Sequence, residues 1–273
     1  MAVVENSKKR LPGRGGVQSV EVGMRLLKAL AAIGGRATLN ELSASLEMHP
    51  AKAHRYLVSL IESGFVERSA HGLYDLGPYV LEFSTSYLSR LDPTTIASPV
   101  VERLSSESNE GIILCVWGSA GTTVIRWLQS RRPISVGIRP GALFSTTMSA
   151  AGRIFLTYLP REETAAIIDA ELKTLAAANH PLAPGGLDDI ERIIEETRAH
   201  RMARVSGHSI EYVSALGAPV FDYRGDLALA LVLFGFKSSF DIDWDGRNAS
   251  LLRAAADEIS KRLGYVPGDG GQT

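Results

Sequence analysis

Apolar residues recur at helical spacing in three consecutive segments of the N-terminal third of the chain. The segments are residues 17–33, 39–46 and 50–63. Thr38 and Glu41 form a capping-box signature at the start of the second segment. Pro50 suits the first turn of the third, and Gly64 ends it. The pattern therefore predicts three helices separated by short breaks.

After Gly64 the apolar period shortens to the alternation that strands show. Phe65–Arg68 and Leu73–Leu76 are two short strand-like runs, joined by a turn at residues 69–72. A winged helix-turn-helix has this order of elements: two helices, a short turn, a third helix and a hairpin. This order predicts such a domain over residues 17–78.

The remaining pattern mixes helices and strands. The predicted linker helix occupies residues 79–96, and its apolar run at 79–91 is closed by Asp92-Pro93. Residues 97–265 are predicted to form an α+β domain. Its strands are predicted at 112–117, 122–127, 133–139, 215–221 and 227–236, and its helices at 99–108, 149–159, 162–172, 187–201 and 251–263. Residues 1–16 are predicted to be a disordered basic arm and 266–273 a flexible tail.

Charge and composition narrow the class of protein. The formal net charge is −1, but basic residues outnumber acidic ones by three in residues 1–78. That sign suits nucleic-acid binding by the N-terminal part. Cys115 is the single cysteine, which excludes an intrachain disulfide, and its apolar surroundings favour a buried small side chain over a redox sensor. Neither a signal peptide nor a membrane span is predicted, so we expect a cytoplasmic protein without a membrane partner.

The third helix has the chemistry of a recognition helix. Lys52 and Arg55 are three residues apart, so they share a face from which they could reach guanine or phosphate oxygens, with His54 beside them. Arg68 and His71 of the wing are predicted to contact phosphate or the minor groove. An ordinary solvated surface helix is the alternative, but the ordered set of helices, turn and wing favours DNA binding.

The basic arm leaves two interpretations open. Lys8, Lys9, Arg10 and Arg14 could enter the minor groove, as basic arms of other DNA-binding domains do. They could equally form a solvated tail.

Motifs for catalysis are lacking. The chain has neither a G-x-S-x-G elbow nor a phosphate-binding loop, and its six histidines lack metal-ligand spacing. His208 and Glu211 could form an acid/base pair or contact a ligand, although a satisfied surface histidine is the simpler interpretation. We therefore predict that the protein is not an enzyme and has no metal or cofactor.

Several segments, taken together, resemble the IclR family of bacterial transcriptional regulators. They are VQSVEVGMRLLKAL, TLNELSASLEMHPAKAHRYLVSLIESGFVER, LYDLGP, GALFSTTMSAAGRIFLTYLP, GAPVFDYRGDLALALVLFG and ISKRLGY. The resemblance covers roughly residues 17–265. It implies a homodimer or dimer of dimers on a pseudo-palindromic operator, and a GAF/PAS-like antiparallel-sheet domain that binds a small organic effector.

The resemblance also implies which residues would surround the effector. By matching positions these are Val136, Ala150, Ala151, Ala215, Val232 and Phe234, with Val205 or Ser206 near the mouth of the pocket. Met148 and His208 complete the predicted effector-binding residues. Relatives that bind small keto acids have a cysteine and two serines where this chain has Ala215, Val232 and Phe234, so we expect a hydrophobic or aromatic effector instead. Its polar end could be held by Ser145, Thr146, Thr147, Ser149, Arg153 or His208. Arg153 stands where the family usually has lysine, and a plain surface charge is its alternative role.

The expected function is a ligand-responsive transcriptional regulator, a repressor or dual regulator of a catabolic operon. Its expected partners are operator DNA, a small-molecule effector and a second copy of itself. Two alternatives stay open at this stage. One is an enzyme built on the C-terminal domain, and the other is a constitutive DNA-binding protein without an effector.

Overall fold

The computed structural model describes residues 16–129 and 138–267. Contacts between residues divide the chain into two compact units, with the boundary between Arg90 and Leu91. The mixture of helices with an antiparallel sheet confirms the predicted α+β class.

The N-terminal unit contains the predicted helices and hairpin. Its elements are α1 (Gln18–Ile33), α2 (Leu39–Ser45), α3 (Pro50–Glu62), β1 (Val66–Arg68), β2 (Tyr74–Leu76) and α4 (Tyr79–Leu88). The predicted capping box is present, because the Thr38 side chain accepts from the Glu41 amide while Glu41 accepts from the Thr38 amide. The buried residues that unite α1, α2 and α3 with the hairpin include Leu26, Leu42 and Leu57. Each such side chain contributes about 1.5–3 kcal/mol through burial.

The hairpin is tied to the segment before α2. The amide of Ala37 donates to the Tyr74 carbonyl at 2.9 Å, and the Tyr74 amide returns a bond to Ala37 at 2.8 Å. Tyr74 is itself buried, so its ring and its backbone both fix the hairpin against the helices.

The segment predicted as one linker helix over residues 79–96 is instead divided between two helices. Helix α4 ends at Leu88, and Asp92-Pro93, expected to close it, begins the next helix. The Asp92 carboxylate accepts from the side chain of Thr95 and from the amides of Thr94 and Thr95, and these bonds lower its pKa. Because Asp92 caps the next helix and Pro93 fits its first turn, that helix starts six residues before the predicted position 99.

The C-terminal unit is a five-stranded sheet with helices on both faces. Its elements are α5 (Pro93–Ser108), β3 (Gly111–Gly118), β4 (Gly121–Leu128), α6 (Ala150–Tyr158), α7 (Arg161–Ala177), α8 (Leu187–His200), β5 (Ala203–Ser206), β6 (Val213–Phe221), β7 (Leu227–Phe236) and α9 (Arg247–Arg262). The strand order is β4-β3-β7-β6-β5, and every neighbouring pair is antiparallel.

The two faces of the sheet follow from strand alternation. Along β7, Leu229, Leu231 and Leu233 belong to the core shared with α5 and α9. Val232 and Phe234 belong to the opposite core, shared with α6. Helices α7 and α8 pack behind α6. The sheet face toward α6 therefore holds the small and aromatic residues expected around an effector.

Two strands of this unit differ from expectation. The sequence does not predict strand β5, because four residues are too few to show a convincing period, although Ala203 and Val205 alternate with less buried neighbours. The predicted strand at 133–139 falls mostly outside the described residues, and Ile138 and Arg139 do not lie in a strand.

Candidate functional sites

Helix α3 presents its basic residues on the face opposite its core contacts. Ala53, Leu57 and Leu60 are buried, whereas Lys52 and Arg55 are exposed. Neither charged side chain forms an ion pair within the part of the chain that the structure describes. Both cations are therefore available to a partner.

The start of α3 is held by His49, the residue before Pro50. The Nδ1 atom of His49 accepts a hydrogen bond from the Ala51 amide at 3.2 Å, so His49 caps the helix before Pro50. In the same turn Glu47 has a left-handed φ of 51°. This geometry fixes the direction in which α3 leaves α2.

The wing places its candidates at an exposed edge. The guanidinium of Arg68 lies 5.3 Å from the centre of the Tyr74 ring, a cation–π distance. His71 is exposed at the hairpin turn, and His54 is exposed beside Arg55 on α3. Arg14 lies outside the described residues, as do Lys8, Lys9 and Arg10.

A cavity lies between the sheet and the start of α6. It is lined by Ile113, Ile138, Phe144, Ser149, Ala150, Ala151, Val205, His208, Ser209, Ile210, Val213, Ala215, Val232 and Phe234. About 80 Å³ is available to the centres of water molecules, several times the roughly 10–15 Å³ that one water needs. Its wall is almost wholly apolar, so it suits a small molecule with a hydrophobic body.

The structure brings most of the predicted effector residues together at this cavity. They are Ala150, Ala151, Val205, His208, Ala215, Val232 and Phe234. Met148 and Ser206 do not line it, and Val136 lies outside the described residues. The Met148 carbonyl instead accepts from the Ser209 hydroxyl at 3.1 Å. The Ser206 hydroxyl shares a hydrogen bond with Ser214 at 3.0 Å.

Six lining residues were missed by sequence reasoning. They are Ile113, Ile138, Phe144, Ser209, Ile210 and Val213. Ile113 lies on the same face of β3 as Cys115, but this strand is apolar on both faces, so its sequence does not show which face lines the cavity. The loop residues Ser209 and Ile210 carry no periodic signal at all.

Close backbone approach explains how Phe234 reaches the cavity. A Cβ atom on Gly111, the cross-strand partner of Phe234, would lie 2.3 Å from the aromatic ring. Only glycine leaves room for the ring at that register. The ring is buried, and it forms part of the cavity wall.

The polar residues before α6 are held by a carboxylate from α7. Glu171 accepts from the amides of Thr146 and Thr147 at 2.8 and 3.0 Å, and from the hydroxyls of Ser145 and Thr147. Ser149 caps α6, with its hydroxyl accepting from the Gly152 amide at 2.9 Å. Of these candidates for a polar end, only Ser149 lines the cavity.

Arg153 is not the surface charge considered as its alternative role. It is 7% exposed, and its guanidinium donates to the carbonyls of Thr147 and Arg204, each at 2.9 Å. Burial lowers the pKa of Arg153 to about 10, so it stays cationic near neutral pH. Arg153 thus joins the loop before α6 to strand β5.

His208 is the one titratable residue that lines the cavity among the residues described. Burial, together with the positive charge of Arg153, lowers the pKa of His208 to about 4. Its imidazole is therefore neutral at physiological pH. Glu211, its proposed partner, is exposed, and no hydrogen bond joins the two residues within the described ranges.

Metal binding, cysteine redox chemistry and membrane-spanning helices were also considered for the described residues. No group of three or more His, Cys, Asp or Glu side chains there could hold a metal ion. Burial raises the pKa of Cys115 to about 12, which fits a packed apolar side chain and not a redox sensor. Across residues 16–129 and 138–267, no helix is long and apolar enough to span a bilayer.

Comparison with known proteins covers both units. Residues 19–70 match the model of the IclR helix-turn-helix domain, and residues 85–261 match that of the bacterial transcriptional regulator IclR C-terminal domain. The HTH-type transcriptional regulator KipR of Bacillus subtilis is 31% identical over 232 residues, covering 84% of this chain and 90% of KipR. The HTH-type transcriptional repressor AllR of Escherichia coli K12 is 23% identical, with 91% of each chain covered.

Solved structures show the same fold. HmgR of Pseudomonas aeruginosa superposes with a TM-score of 0.84 at 32% identity, over 91% of this chain and 99% of HmgR. An IclR homologue from Microbacterium hydrocarbonoxydans, crystallised with 4-hydroxybenzoate, has a TM-score of 0.55 at 17% identity, over 90% of this chain and 98% of that one.

Proposed function

This chain belongs to the IclR family and is a DNA-binding transcriptional regulator, and we propose that a small hydrophobic or aromatic effector controls its affinity for an operator. The observation that carries this proposal is the apolar cavity between the sheet and α6. The regulated genes are proposed to form a catabolic operon. The protein is proposed to repress this operon or to act on it as a dual regulator. We expect the protein to act in the cytoplasm, where the chromosome is.

Helix α3 is proposed to enter the major groove. Lys52 and Arg55 are exposed, unpaired among the residues described, and mounted on a helix whose other face is buried. Arg68 and His71 would contact the phosphate backbone from the wing. This division assigns base reading to α3 and positioning to the hairpin.

The character of the cavity supports an effector with a flat or hydrophobic body. Val232 and Phe234 of β7 provide an aliphatic and an aromatic wall, and Ala215, the cross-strand partner of Phe234 on β6, is a small side chain that leaves space beside the ring. A small keto acid has no apolar body to pack against this wall, so hydrophobic contact would not offset the cost of burying its carboxylate. The 4-hydroxybenzoate bound by the Microbacterium relative shows that this fold can hold an aromatic acid, which makes such acids the first compounds to test.

A second copy of the chain is proposed as the protein partner. Helices α1 and α4 expose a series of large apolar side chains to solvent: Val17, Val20 and Met24 at α1, and Tyr79, Leu81, Phe83 and Tyr87 on α4. Exposed apolar patches of this kind mark interaction sites. A homodimer would also match a pseudo-palindromic operator. In sedimentation velocity, Leu81→Glu should shift the protein toward the monomer, and an unchanged sedimentation coefficient would count against this interface.

The DNA-binding assignment is tested by replacing the exposed cations of α3. Lys52→Ala with Arg55→Ala should lower affinity for the operator by about 1–3 kcal/mol for each base that is no longer read, while the stability of the fold is retained. The matched control is Arg25→Ala with Lys28→Ala on the exposed face of α1. An equal fall in gel-shift affinity in both double variants would indicate general electrostatics in place of recognition by α3.

The effector assignment is tested by filling the cavity. Ala215→Leu adds three carbons at the wall and should abolish thermal stabilisation by aromatic acids, while operator binding without ligand remains. Ala166→Leu on the exposed face of α7 is the control. Ligands that stabilise Ala215→Leu as well as the wild type would place the effector elsewhere.

A further inference from the structure

One end of the cavity is polar, although its wall is otherwise apolar. The loop between β5 and β6 carries His208 and Ser209 into the lining, and the Ser209 hydroxyl reaches the Met148 carbonyl just before α6. The first amides of α6, those of Ala150 and Ala151, find no acceptor within the described ranges. His208 and the start of α6 therefore meet at the same end.

The hydrogen bonding of His208 determines what it offers to a ligand. Its Nδ1 atom lies 3.1 Å from the Ser206 amide nitrogen and 3.2 Å from the Ser206 carbonyl oxygen. Both contacts use Nδ1, so Nε2 is the nitrogen left for a ligand. Nε2 carries a proton in the neutral tautomer that accepts from the Ser206 amide, and also in the imidazolium.

Burial is the main factor that opposes protonation of this imidazole, and the positive charge of Arg153 from α6 is the next. His180 after α7 and Lys237 after β7 contribute less in the same direction. Only the hydrogen bond with the Ser206 backbone acts the other way. Glu211, in the same loop, is exposed.

Arg153 lacks a compensating carboxylate. It is buried and bonded to two carbonyl oxygens, but it forms no ion pair among the residues described. Glu196 contributes only a longer-range attraction, and its carboxylate is 3.3 Å from the guanidinium of Arg204. An anion near His208 would supply the missing negative charge.

We propose that His208 is the specificity-determining donor for an anionic group of the effector, and that binding of this anion is coupled to proton uptake by the imidazole. The inference rests on the proposed function, because it assumes that the effector occupies this cavity. The proton comes from solvent and is held on Nδ1, which then releases the Ser206 amide and donates to the Ser206 carbonyl, 3.2 Å away. The ligand anion offsets the surrounding positive charge, which otherwise disfavours the imidazolium.

The test uses isothermal titration calorimetry of the full chain at pH 6 in phosphate and in Bis-Tris buffers. The probes are benzoate, 4-hydroxybenzoate and the neutral benzyl alcohol. Proton uptake makes the observed enthalpy depend on the ionisation enthalpy of the buffer. For the acids we expect uptake of a fraction of a proton, up to about one, and for benzyl alcohol we expect none.

Two variants distinguish the role of His208 as a hydrogen-bond donor from its role in proton uptake. His208→Gln keeps an N–H donor but does not titrate, so it should bind benzoate without uptake. His208→Leu has neither property and should bind the acids about tenfold to a hundredfold more weakly, with little change for benzyl alcohol. His200→Gln, in which the replaced histidine stacks on Trp244 and does not line the cavity, is the control and should retain uptake.

The outcomes distinguish this inference from the function on which it rests. Binding of benzyl alcohol but of neither acid would overturn the role of His208 and leave the apolar effector cavity intact. Failure of all three probes would count against both proposals. Acid binding with the same buffer dependence in His208→Gln and the wild type would show that another group takes up the proton, which overturns the coupling.

Discussion

Glu171 is expected to hold the wall of the effector cavity in place without touching the effector. Its carboxylate accepts four hydrogen bonds from residues 145–147, two of them from the backbone amides of Thr146 and Thr147. These residues lead directly into α6, whose first turn lines the cavity. Glu171→Ala removes the acceptor of all four hydrogen bonds and leaves two amides to find water.

The size of the effect follows from those hydrogen bonds. A hydrogen bond to a charged group contributes about 1.5–3 kcal/mol when it is well formed, and leaving a buried donor unpaired costs about 1–3 kcal/mol. Because Glu171 is half-buried, water can replace part of this stabilisation, so we expect a net destabilisation of about 2–4 kcal/mol. For a domain of this size that corresponds to a fall in melting temperature of roughly 5–15 °C.

The assay is thermal unfolding followed by circular dichroism, with and without a stabilising aromatic acid. Asp169→Ala is the matched control, because Asp169 is an exposed acid on the same helix with no hydrogen-bonded partner among the residues described. The ligand-induced shift should also shrink in Glu171→Ala, since the start of α6 is less well fixed. Unfolding free energies of the two variants that agree to within about 1 kcal/mol, judged from their melting temperatures, would refute this role for Glu171.

Three further predictions concern the arm, His208 and Gly152. Deletion of residues 1–15 should lower the log–log salt dependence of operator binding by about 0.9 for each phosphate that the arm no longer neutralises; an unchanged slope would identify the arm as a solvated tail. The folded-state pKa of His208, about 4, is below its ordinary value of 6.5, so the unfolded chain binds the proton first and stability falls as pH drops from 6.5 toward 4. His208→Gln should remove about 1 kcal/mol of this fall in the free energy of unfolding, a value reduced because the ring is partly exposed. Urea unfolding at pH 7.5 and at pH 5 measures it. A Cβ atom on Gly152 would lie 2.4 Å from the carbonyl oxygens of Ser145 and Thr146, so Gly152→Ala should destabilise the fold by about 1–3 kcal/mol in the same assay, whereas Gly186→Ala, with open space around it, should cost far less.

The elements that could be predicted are those encoded by neighbouring residues. The Thr38–Glu41 capping box spans four residues, and the β1–β2 hairpin follows directly from its turn. Helix α8, from Leu187 to His200, agrees with its apolar period to within one residue. Each of these signals is complete within one continuous segment of at most 14 residues, so the sequence carries it without reference to the rest of the fold.

The sequence-based predictions were wrong where the same local residues are compatible with more than one structure. Asp92-Pro93 is as suitable for starting a helix as for ending one, and the carboxylate of Asp92 is used to cap α5. Arg153 has the sequence appearance of a solvated cation, yet its guanidinium bonds to a carbonyl on β5. Neither outcome could be chosen from the flanking residues alone.

The sequence by itself determined the family, the order of most of the elements and the apolar character of the last strands. Only the tertiary structure decided that Ile113, Ile210 and Phe234 line one cavity, that Glu171 holds the loop before α6, and that His208 is neutral at its polar end. The physical reason is the distance along the chain between the partners. Interactions such as that of Glu171 with Thr147, 24 residues away, depend on which faces of helix and sheet pack together. Packing of that kind also sets the local solvation, and therefore the charge, of a buried side chain.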